Sequence, residues 1–285
     1  MPGKPQPSEL PPPREHRDAG VRVLVNPECH PNVEDLMGLP AIVSRLEGRS
    51  TRQAGRPTCW VWNPPWHDGP GLMVRRYAHG GLLGRLWGTL FVGAGRMEHE
   101  FALSRCAAVA GLSVPCPVAL RIERVFGPLV RAHYVNRLIP ETRDLLALCR
   151  ELPSEDLSTS RKRRICRAVA DVVAALHEAG ILHADLNLQN ILVRDPLDDP
   201  EAFIVDLDRA CVFGKLDLPQ RMSNLVRLDR SVEKWPESRS AIGLTDRAAF
   251  LRAYLGRHSK WAEREEEIIR RHGSRHLRHR PWRKS

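Results

Sequence analysis

Three polar residues in one short stretch have the types and spacing of a phosphoryl-transfer site. His183 is followed two residues later by Asp185, and Asn190 comes five residues after that aspartate. In the pattern H-x-D-L-x-x-x-N, the aspartate faces the acceptor hydroxyl and the asparagine holds a metal ion. The order matters because a base and a metal ligand must converge on one γ-phosphate from a single turn. The stretch therefore predicts that Asp185 is catalytic and that Asn190 binds a metal.

A second acidic residue follows at the end of an apolar run. Residues 203–205 lead into Asp206, sixteen residues after Asn190. A strand ending here would deliver Asp206 to the place of the second Mg²⁺ ligand of a kinase. We therefore predict that Asn190 and Asp206 hold Mg²⁺ and that ATP is the phosphoryl donor. His183 is expected to brace the loop rather than to perform chemistry.

The residues around this loop resemble those of a known enzyme family. His-Ala-Asp-Leu-Asn-Leu-Gln-Asn-Ile-Leu and the later Ile-Val-Asp-Leu-Asp-Arg are similar to the H-x-D-L-N-x-x-N-I-L and I-D-F-D-R patterns of bacterial lipopolysaccharide kinases. The closest pattern is that of the 3-deoxy-D-manno-octulosonic acid (Kdo) kinases. Protein kinases instead place Lys at the Asn187 position and Gly at the Asp208 position. The resemblance implies an α+β, bilobal, protein-kinase-like fold with a small β-rich N-lobe and a helical C-lobe.

Two short β-rich runs predict the hairpin of the N-lobe. Residues 59–63 and 71–77 are separated by turn residues rich in Asn, Pro, Asp and Gly. Upstream, Ala-Gly-Arg-Pro-Thr-Cys-Trp resembles the family's G-R-G-x-T-W phosphate loop, which implies that Gly55 contacts the nucleotide. The stretch departs from that pattern at Pro57, which removes one backbone N–H donor.

A cation and a carboxylate of the N-lobe also match the family. Arg75 stands where Kdo kinases place Arg in an L-R-x-Y motif, so the resemblance implies that it neutralises nucleotide phosphate. The neighbouring Arg76 is the competing assignment. Glu100, just before Phe101, matches the family's E-F position, whose glutamate pairs with the strand cation. A solvated cation and a surface carboxylate are the alternatives for Arg75 and Glu100.

Periodicity outlines the remaining elements. We expect helices at residues 98–110, 142–152, 161–179 and 246–255, the last capped by Thr245, and strands at residues 114–123 and 129–139. The third helix repeats apolar residues every three or four positions and leads into the catalytic loop. Its apolar stripe is Ile165, Val169, Val172 and Leu176.

The segment after Asp208, together with Ala184 in the catalytic loop, indicates which class of acceptor is phosphorylated. No A-P-E motif follows. Ala184 stands where protein kinases have the arginine that binds the phosphate of a phosphorylated activation loop. These features favour a small-molecule or glycolipid acceptor, and the resemblance implies the 4-hydroxyl of Kdo on a lipid A precursor. A basic helix resembling the family's N-L-x-R-L-x-R-S-x-K run is a candidate docking face for acceptor phosphates, with a solvated face as the alternative. Its cations are Arg221, Arg227, Arg230 and Lys234.

Composition bounds the location and the partners. The 285 residues carry a net charge of +10, which implies an anionic partner. No window reaches the ~20 apolar residues that span a bilayer, and the first residues lack the apolar core of a secretory signal. The seven cysteines are scattered, as in reduced cytosolic proteins. With the resemblance, we expect a cytoplasmic protein held peripherally on the anionic inner-membrane surface, with no nucleic acid as partner.

Composition marks the two ends of the chain, and the resemblance divides the part between them. We predict a disordered Pro-rich N-terminus at residues 1–20 and a basic tail at 257–285, and the resemblance implies an N-lobe at 21–140 and a C-lobe at 141–256. From residue 257 to 284 there are ten Lys or Arg against four Glu, and a Trp lies near the end. Such a segment suits an anionic inner leaflet, and a solvated tail is the alternative.

Three other functions remain open from the sequence. A heptose kinase of the same superfamily shares the three site residues, and the long tail favours it slightly. An aminoglycoside-type phosphotransferase keeps H-x-D-x-x-x-x-N but differs around the second aspartate. A non-catalytic pseudokinase could bind an anionic lipid, although the intact Asp185, Asn190 and Asp206 argue against it.

Overall fold

A computed structural model describes residues 10–47, 59–79, 88–151, 158–194 and 199–256. The chain divides into two units, Met1–Pro140 and Glu141–Ser285. An antiparallel sheet dominates the described part of the first unit, and helices dominate that of the second. The predicted α+β class is thus confirmed. The phosphate loop predicted at Gly55 and the basic tail at 257–285 lie outside the described residues.

The described part of the first unit is built on a seven-stranded antiparallel sheet. Its strands are β1 (Arg14–Asp18), β2 (Val21–Val25), β3 (Cys59–Trp62), β4 (Leu72–Arg76), β5 (Phe91–Val92), β6 (Pro117–Phe126) and β7 (Leu129–Arg137). The order is β1-β2-β6-β7-β4-β3, and β5 pairs with β7. The helices described beside the sheet are α1 (Val33–Met37), α2 (Leu39–Glu47) and α3 (Gly95–Val109). The hairpin predicted from the two β-rich runs is present as β3 and β4.

Both faces of this sheet are covered, because successive side chains of a strand point to opposite faces. In β2, Val23 and Val25 belong to an apolar cluster that includes Leu36 and Leu39 of α1 and α2. Leu24, between them, belongs to a second cluster that includes Met97 and Phe101 of α3. Helix α3 is therefore packed on the face opposite α1 and α2.

The prediction that residues 1–20 are disordered is wrong for Arg14–Asp18. This strand is polar and exposed, so it lacks the apolar alternation that usually indicates a strand. It forms because its backbone pairs with β2 across a two-residue turn. Ala19 and Gly20 have φ values of 44° and 81°, the left-handed pair that a tight hairpin turn requires.

Helices and two small sheets make up the described part of the second unit. Its helices are α4 (Leu145–Glu151), α5 (Thr159–Glu178), α6 (Leu218–Lys234), α7 (Pro236–Ala241) and α8 (Leu244–Gly256). Its strands are β8 (Thr142–Asp144), β9 (Ile181–Leu182), β10 (Ile191–Arg194), β11 (Glu201–Ile204) and β12 (Cys211–Val212). Strands β11-β10-β8 form one antiparallel sheet, and β12 pairs with β9.

The predicted helix boundaries hold in part. The apolar stripe of α5 is buried as predicted. The helix predicted from residue 142 begins only at Leu145, because Thr142–Asp144 pairs with β10 instead. Thr245 is not a cap, since α8 begins at Leu244 and the Asp246 carboxylate accepts the Gly243 N–H at 2.9 Å.

Gly180 shapes the turn from α5 into the strand before the catalytic loop. Its φ is +76°, and a Cβ at this position would lie 2.1 Å from the backbone oxygen of Phe213. The two backbones come this close because they are hydrogen-bonded: the Phe213 N–H donates to the Gly180 oxygen at 2.8 Å. A glycine is therefore required for the turn and for the pairing of β9 with β12.

A buried chain of hydrogen bonds joins three helices to the start of the catalytic loop. Asn224 of α6 donates through Nδ2 to the His183 oxygen at 2.7 Å. Its Oδ1 therefore accepts from Nε2 of His177 at 3.0 Å, and Nδ1 of His177 accepts the hydroxyl of Tyr254 at 2.8 Å. Burial raises the pKa of Tyr254 to about 12, so this hydroxyl stays protonated at neutral pH. The network fixes α5, α6 and α8 around residue 183.

We predict that Asn224→Ala lowers the free energy of unfolding by about 2 to 4 kcal/mol, because it removes the hydrogen bonds that Asn224 makes to buried groups on His177 and His183. The neighbouring Ser223→Ala is the control, since Ser223 is exposed and its hydroxyl donates to the Gln220 oxygen within the same helix. Its effect should stay within about 0.5 kcal/mol. Urea unfolding followed by circular dichroism measures both, and equal losses would contradict the network.

Candidate active site

The catalytic loop is held to the segment before Asp206 by a neutral histidine. The Asp185 N–H donates to Nδ1 of His183 at 3.1 Å, so Nε2 carries the proton and donates to the Val205 oxygen at 3.1 Å. His183 is almost fully buried, and burial lowers the pKa of its imidazole. Both ring nitrogens thus bind backbone, as expected for a residue that braces the loop.

The register of β10 and β11 brings the two predicted metal ligands to the same end of a hairpin. Ile191 is paired with Ile204, so Asn190 just precedes one strand and Val205 just follows the other. The Val205 N–H donates to the Asn190 oxygen at 3.0 Å. Asp206, the next residue, therefore leaves the hairpin beside Asn190.

Asp206 has an unusual backbone conformation. Its φ is +65°, in the left-handed region that non-glycine residues seldom occupy. Such conformations cost about 1–3 kcal/mol and concentrate at functional sites. Hydrogen bonds restrain the chain just before Asp206, because the Val205 N–H and the Val205 oxygen are both bound.

Asp185 presents its carboxylate at the surface of the C-terminal unit. The side chain is 70% exposed, and its orientation is set by Asn187, whose amide donates to Oδ2 and to the backbone oxygen, each at 3.0 Å. The amide of Asn190 also donates to the Asp185 oxygen, at 2.9 Å. A guanidinium nitrogen of Arg227 lies 4.0 Å from Oδ1. The loop thus presents an oriented, accessible carboxylate.

The donor types of this site fit Mg²⁺. The amide oxygen of Asn190 and the carboxylate of Asp206 are hard oxygen ligands, and Mg²⁺ is commonly bound by one or two such side chains together with substrate phosphates. Within the described ranges, no three His, Cys, Asp or Glu side chains form a metal-binding group of their own. Asn190 and Asp206 are therefore the candidate ligands.

In the N-terminal unit, the predicted pairing of Arg75 with Glu100 is confirmed. Nη2 of Arg75 donates to Oε1 of Glu100 at 2.5 Å, and Glu100 is 2% exposed. The Tyr77 hydroxyl donates to the other carboxylate oxygen. Burial, and then the Glu100 charge, raise the pKa of Tyr77 well above its usual value, so the tyrosine remains a donor.

The competing residue, Arg76, faces the other side of β4. Its guanidinium lies 3.3 Å from a carboxylate oxygen of Glu47 and 5.1 Å from the ring centroid of Trp60. The alternation of side chains along a strand explains the separation. Arg75 is thus the β4 cation that meets the α3 carboxylate.

Two tyrosines of this cluster were not singled out from the sequence. The Arg75 guanidinium carbon lies 4.7 Å from the ring centroid of Tyr77 and 5.4 Å from that of Tyr134. Both contacts are within the range of cation–π attraction. Tyr77 could have been identified from the sequence, because it is the tyrosine of the L-R-x-Y motif. Tyr134 lies in β7, and no sequence motif pointed to it.

Helix α6 anchors the catalytic loop, a role that its basic residues did not indicate. Besides Asn224 at the start of the loop, Ser231 accepts the Leu188 N–H at 3.1 Å near the loop's other end. The Asn and Ser of the family's N-L-x-R-L-x-R-S run were the signal for these contacts. The prediction of a docking face is wrong for Arg221, which is 2% exposed and donates to Glu178 at 2.9 Å.

Comparisons with known proteins agree with these features. The family model described as the lipopolysaccharide kinase (Kdo/WaaP) family matches residues 50–254. A 3-deoxy-D-manno-octulosonic acid kinase of Vibrio cholerae is 31% identical over 184 residues, which cover 63% of this chain and 72% of the relative. The corresponding kinase of Actinobacillus succinogenes is 31% identical over 195 residues, which cover 67% and 78%.

A solved structure of WaaP in complex with acyl carrier protein has the same fold. Its TM-score is 0.56 at 20% identity, and the match covers 89% of this chain and 97% of that one. The predicted protein-kinase-like fold is therefore confirmed. The family match includes the β4–α3 ion pair, the catalytic loop and α6. The chain therefore belongs to the lipopolysaccharide kinase (Kdo/WaaP) family and is a phosphotransferase.

Proposed function

We propose that this protein transfers the γ-phosphoryl group of ATP to the 4-hydroxyl of Kdo on a lipid A precursor. The observation that carries the proposal is the arrangement of Asp185 on a braced loop beside Asn190 and Asp206. The Vibrio cholerae and Actinobacillus succinogenes relatives are Kdo kinases, which favours Kdo over heptose as the acceptor.

In the proposed reaction, Asp185 orients the acceptor hydroxyl and takes its proton. The hydroxyl oxygen forms a bond to the γ-phosphorus as the bond from that phosphorus to the β–γ bridging oxygen breaks, and ADP leaves. Asn190 and Asp206 would hold Mg²⁺, which neutralises the charge of the β- and γ-phosphates when bound. His183 and Asn187 keep Asp185 in place.

Arg75 is the proposed nucleotide contact of the N-terminal unit. Glu100 and Tyr77 hold its guanidinium in one orientation, so little conformational entropy would be lost on binding phosphate. Gly55 belongs to the same proposal through its resemblance to the family's phosphate loop.

We predict that Asp185→Ala and Asp206→Ala each lower kcat by about 100- to 10 000-fold, because each removes a group that acts mainly in the transition state. The control is Asp199→Ala, which removes an exposed carboxylate just before β11. Phosphate transfer from labelled ATP is measured on Kdo-bearing and heptose-bearing acceptors, and the wild type should use the former. A folded Asp206→Ala protein with near-full Mg²⁺-dependent activity would contradict the metal assignment.

Arg75→Ala should raise the KM for ATP at least about tenfold, because a charge-assisted phosphate contact is worth roughly 1.5–3 kcal/mol. Arg76→Ala is the matched control, as it removes the adjacent cation and its pairing with Glu47 on the other face of the strand. Initial rates at varied ATP concentration measure both variants. Equal effects of the two substitutions would disprove the assignment of Arg75.

Peripheral association with an anionic membrane is a further part of the proposal. Among the described residues, no helix combines the length and apolar character needed to span a bilayer. Arg227, Arg230 and Lys234 are exposed on α6, and residues 257–284 contain ten Lys or Arg. Each cation near an anionic surface contributes about 1 kcal/mol. Several together support reversible binding where a lipid-linked acceptor is found.

We therefore predict that the protein sediments with anionic vesicles at low salt and is released at high salt, because added ions screen the attraction. A chain ending at Gly256 should bind less than the full chain. Neutral vesicles serve as the control. Salt-insensitive binding, or none by either chain, would refute an electrostatic attachment, and full binding by the shortened chain would place it on α6.

A further inference from the structure

Arg227 extends from α6 to the base of the proposed reaction. Its Nη1 lies 4.0 Å from Oδ1 of Asp185, and the Arg227 side chain is 56% exposed. The pair is too long for a strong hydrogen bond, so the guanidinium keeps donors to offer to a bound molecule. A ligand whose reacting group meets Asp185 would therefore lie within reach of Arg227.

The backbone position of Arg227 is fixed by its neighbours on the helix. Asn224, Arg227 and Ser231 are spaced by three and four residues, so they share one face of α6. Asn224 binds the oxygen of the first loop residue, and Ser231 binds the N–H of Leu188. Arg227 thus stands between two anchors of the loop, which set where its side chain begins.

The loop itself supplies no permanent cation beside Asp185. Residues 184–190 contain no Lys or Arg. Asn187 stands where protein kinases have a lysine, and its amide is used to orient the Asp185 carboxylate. Arg227 of α6 supplies a positive charge next to Asp185. An always-charged, forked guanidinium in this position suits a carboxylate or a phosphate.

The proposed acceptor carries such a group. Kdo is a sugar acid, and its carboxylate is a few bonds from the 4-hydroxyl. With that hydroxyl in hydrogen-bonding distance of Asp185, the carboxylate would fall near a guanidinium 4.0 Å from the same aspartate. We propose that Arg227 binds the carboxylate of the acidic sugar acceptor and thereby favours acidic over neutral sugars. This inference rests on the proposed function.

The test pairs a substitution in the protein with a change in the acceptor. Arg227→Gln is compared with the wild type on a Kdo-bearing acceptor and on the same acceptor with its carboxylate reduced to an alcohol. The wild type should prefer the acid roughly 10- to 100-fold in kcat/KM, the range expected for hydrogen bonds to a charged group. Arg227→Gln should lose this preference through a higher acceptor KM. On the alcohol, the two proteins should be equal, as in a double-mutant cycle.

Three controls separate binding of the carboxylate from other effects. Arg167→Gln removes another exposed arginine from a helix, α5, and should leave both activities unchanged. Arg227→Lys keeps the charge without the fork and should retain part of the preference. Hydrolysis of ATP without acceptor, together with the melting temperature, should be the same for Arg227→Gln and the wild type.

Each other outcome overturns the inference in a recognisable way. If Arg227→Gln slows transfer to both acceptors equally, or slows ATP hydrolysis without acceptor, the guanidinium serves the transferred phosphoryl group. If the wild type uses acid and alcohol equally well, the carboxylate has no binding site, although the proposed function stands. If the wild type does not phosphorylate the Kdo-bearing acceptor, the proposed function fails and this inference fails with it.

Discussion

The two peptide groups that flank Val205 are the constraint on which the candidate active-site arrangement depends. The Val205 N–H donates to the Asn190 oxygen, and the Val205 oxygen accepts from His183. These two consecutive peptide groups thus connect both ends of the catalytic loop to the residue before Asp206. Because each peptide group is planar, a hydrogen bond on each side of Val205 restricts both planes, and the second plane includes the N–H and Cα of Asp206. This restraint helps to hold Asp206 in its left-handed conformation.

The ion pair of the N-terminal unit serves orientation more than stability. Burying a carboxylate such as Glu100 is costly, and a buried ion pair rarely repays the whole desolvation penalty. The cost is reduced here because Arg75 and the protonated Tyr77 occupy different oxygens of the carboxylate. In return, a long and flexible arginine side chain has one preferred direction. A cation prepared in this way loses less entropy when it meets a phosphate.

The sequence predicted the site best where the chemistry restricts residue type. Spacing singled out Asp185, Asn190 and Asp206 as candidate site residues, and resemblance to a family pattern predicted the Arg75–Glu100 pair that the structure contains. It predicted least where partners lie far apart in the chain. Asn224 and Ser231 are 41 and 43 residues from their loop partners, and the Arg221 charge is matched by Glu178 from another helix. Strand β1 was not predicted, because it is held by backbone pairing, which requires no apolar pattern in the sequence.

That polar strand also has a consequence for solubility. Among the strands that the structure describes, β1 lies at the edge of the sheet, and its side chains are Arg, Glu, His, Arg and Asp, four of the five exposed. Exposed edges invite pairing between molecules, and charged side chains discourage it. The neighbouring β2, Val-Arg-Val-Leu-Val, is rich in β-branched apolar residues. If β1 did not cover it, β2 would be an edge strand able to pair with other molecules. The charged first strand therefore acts as a shield against aggregation, a task independent of catalysis.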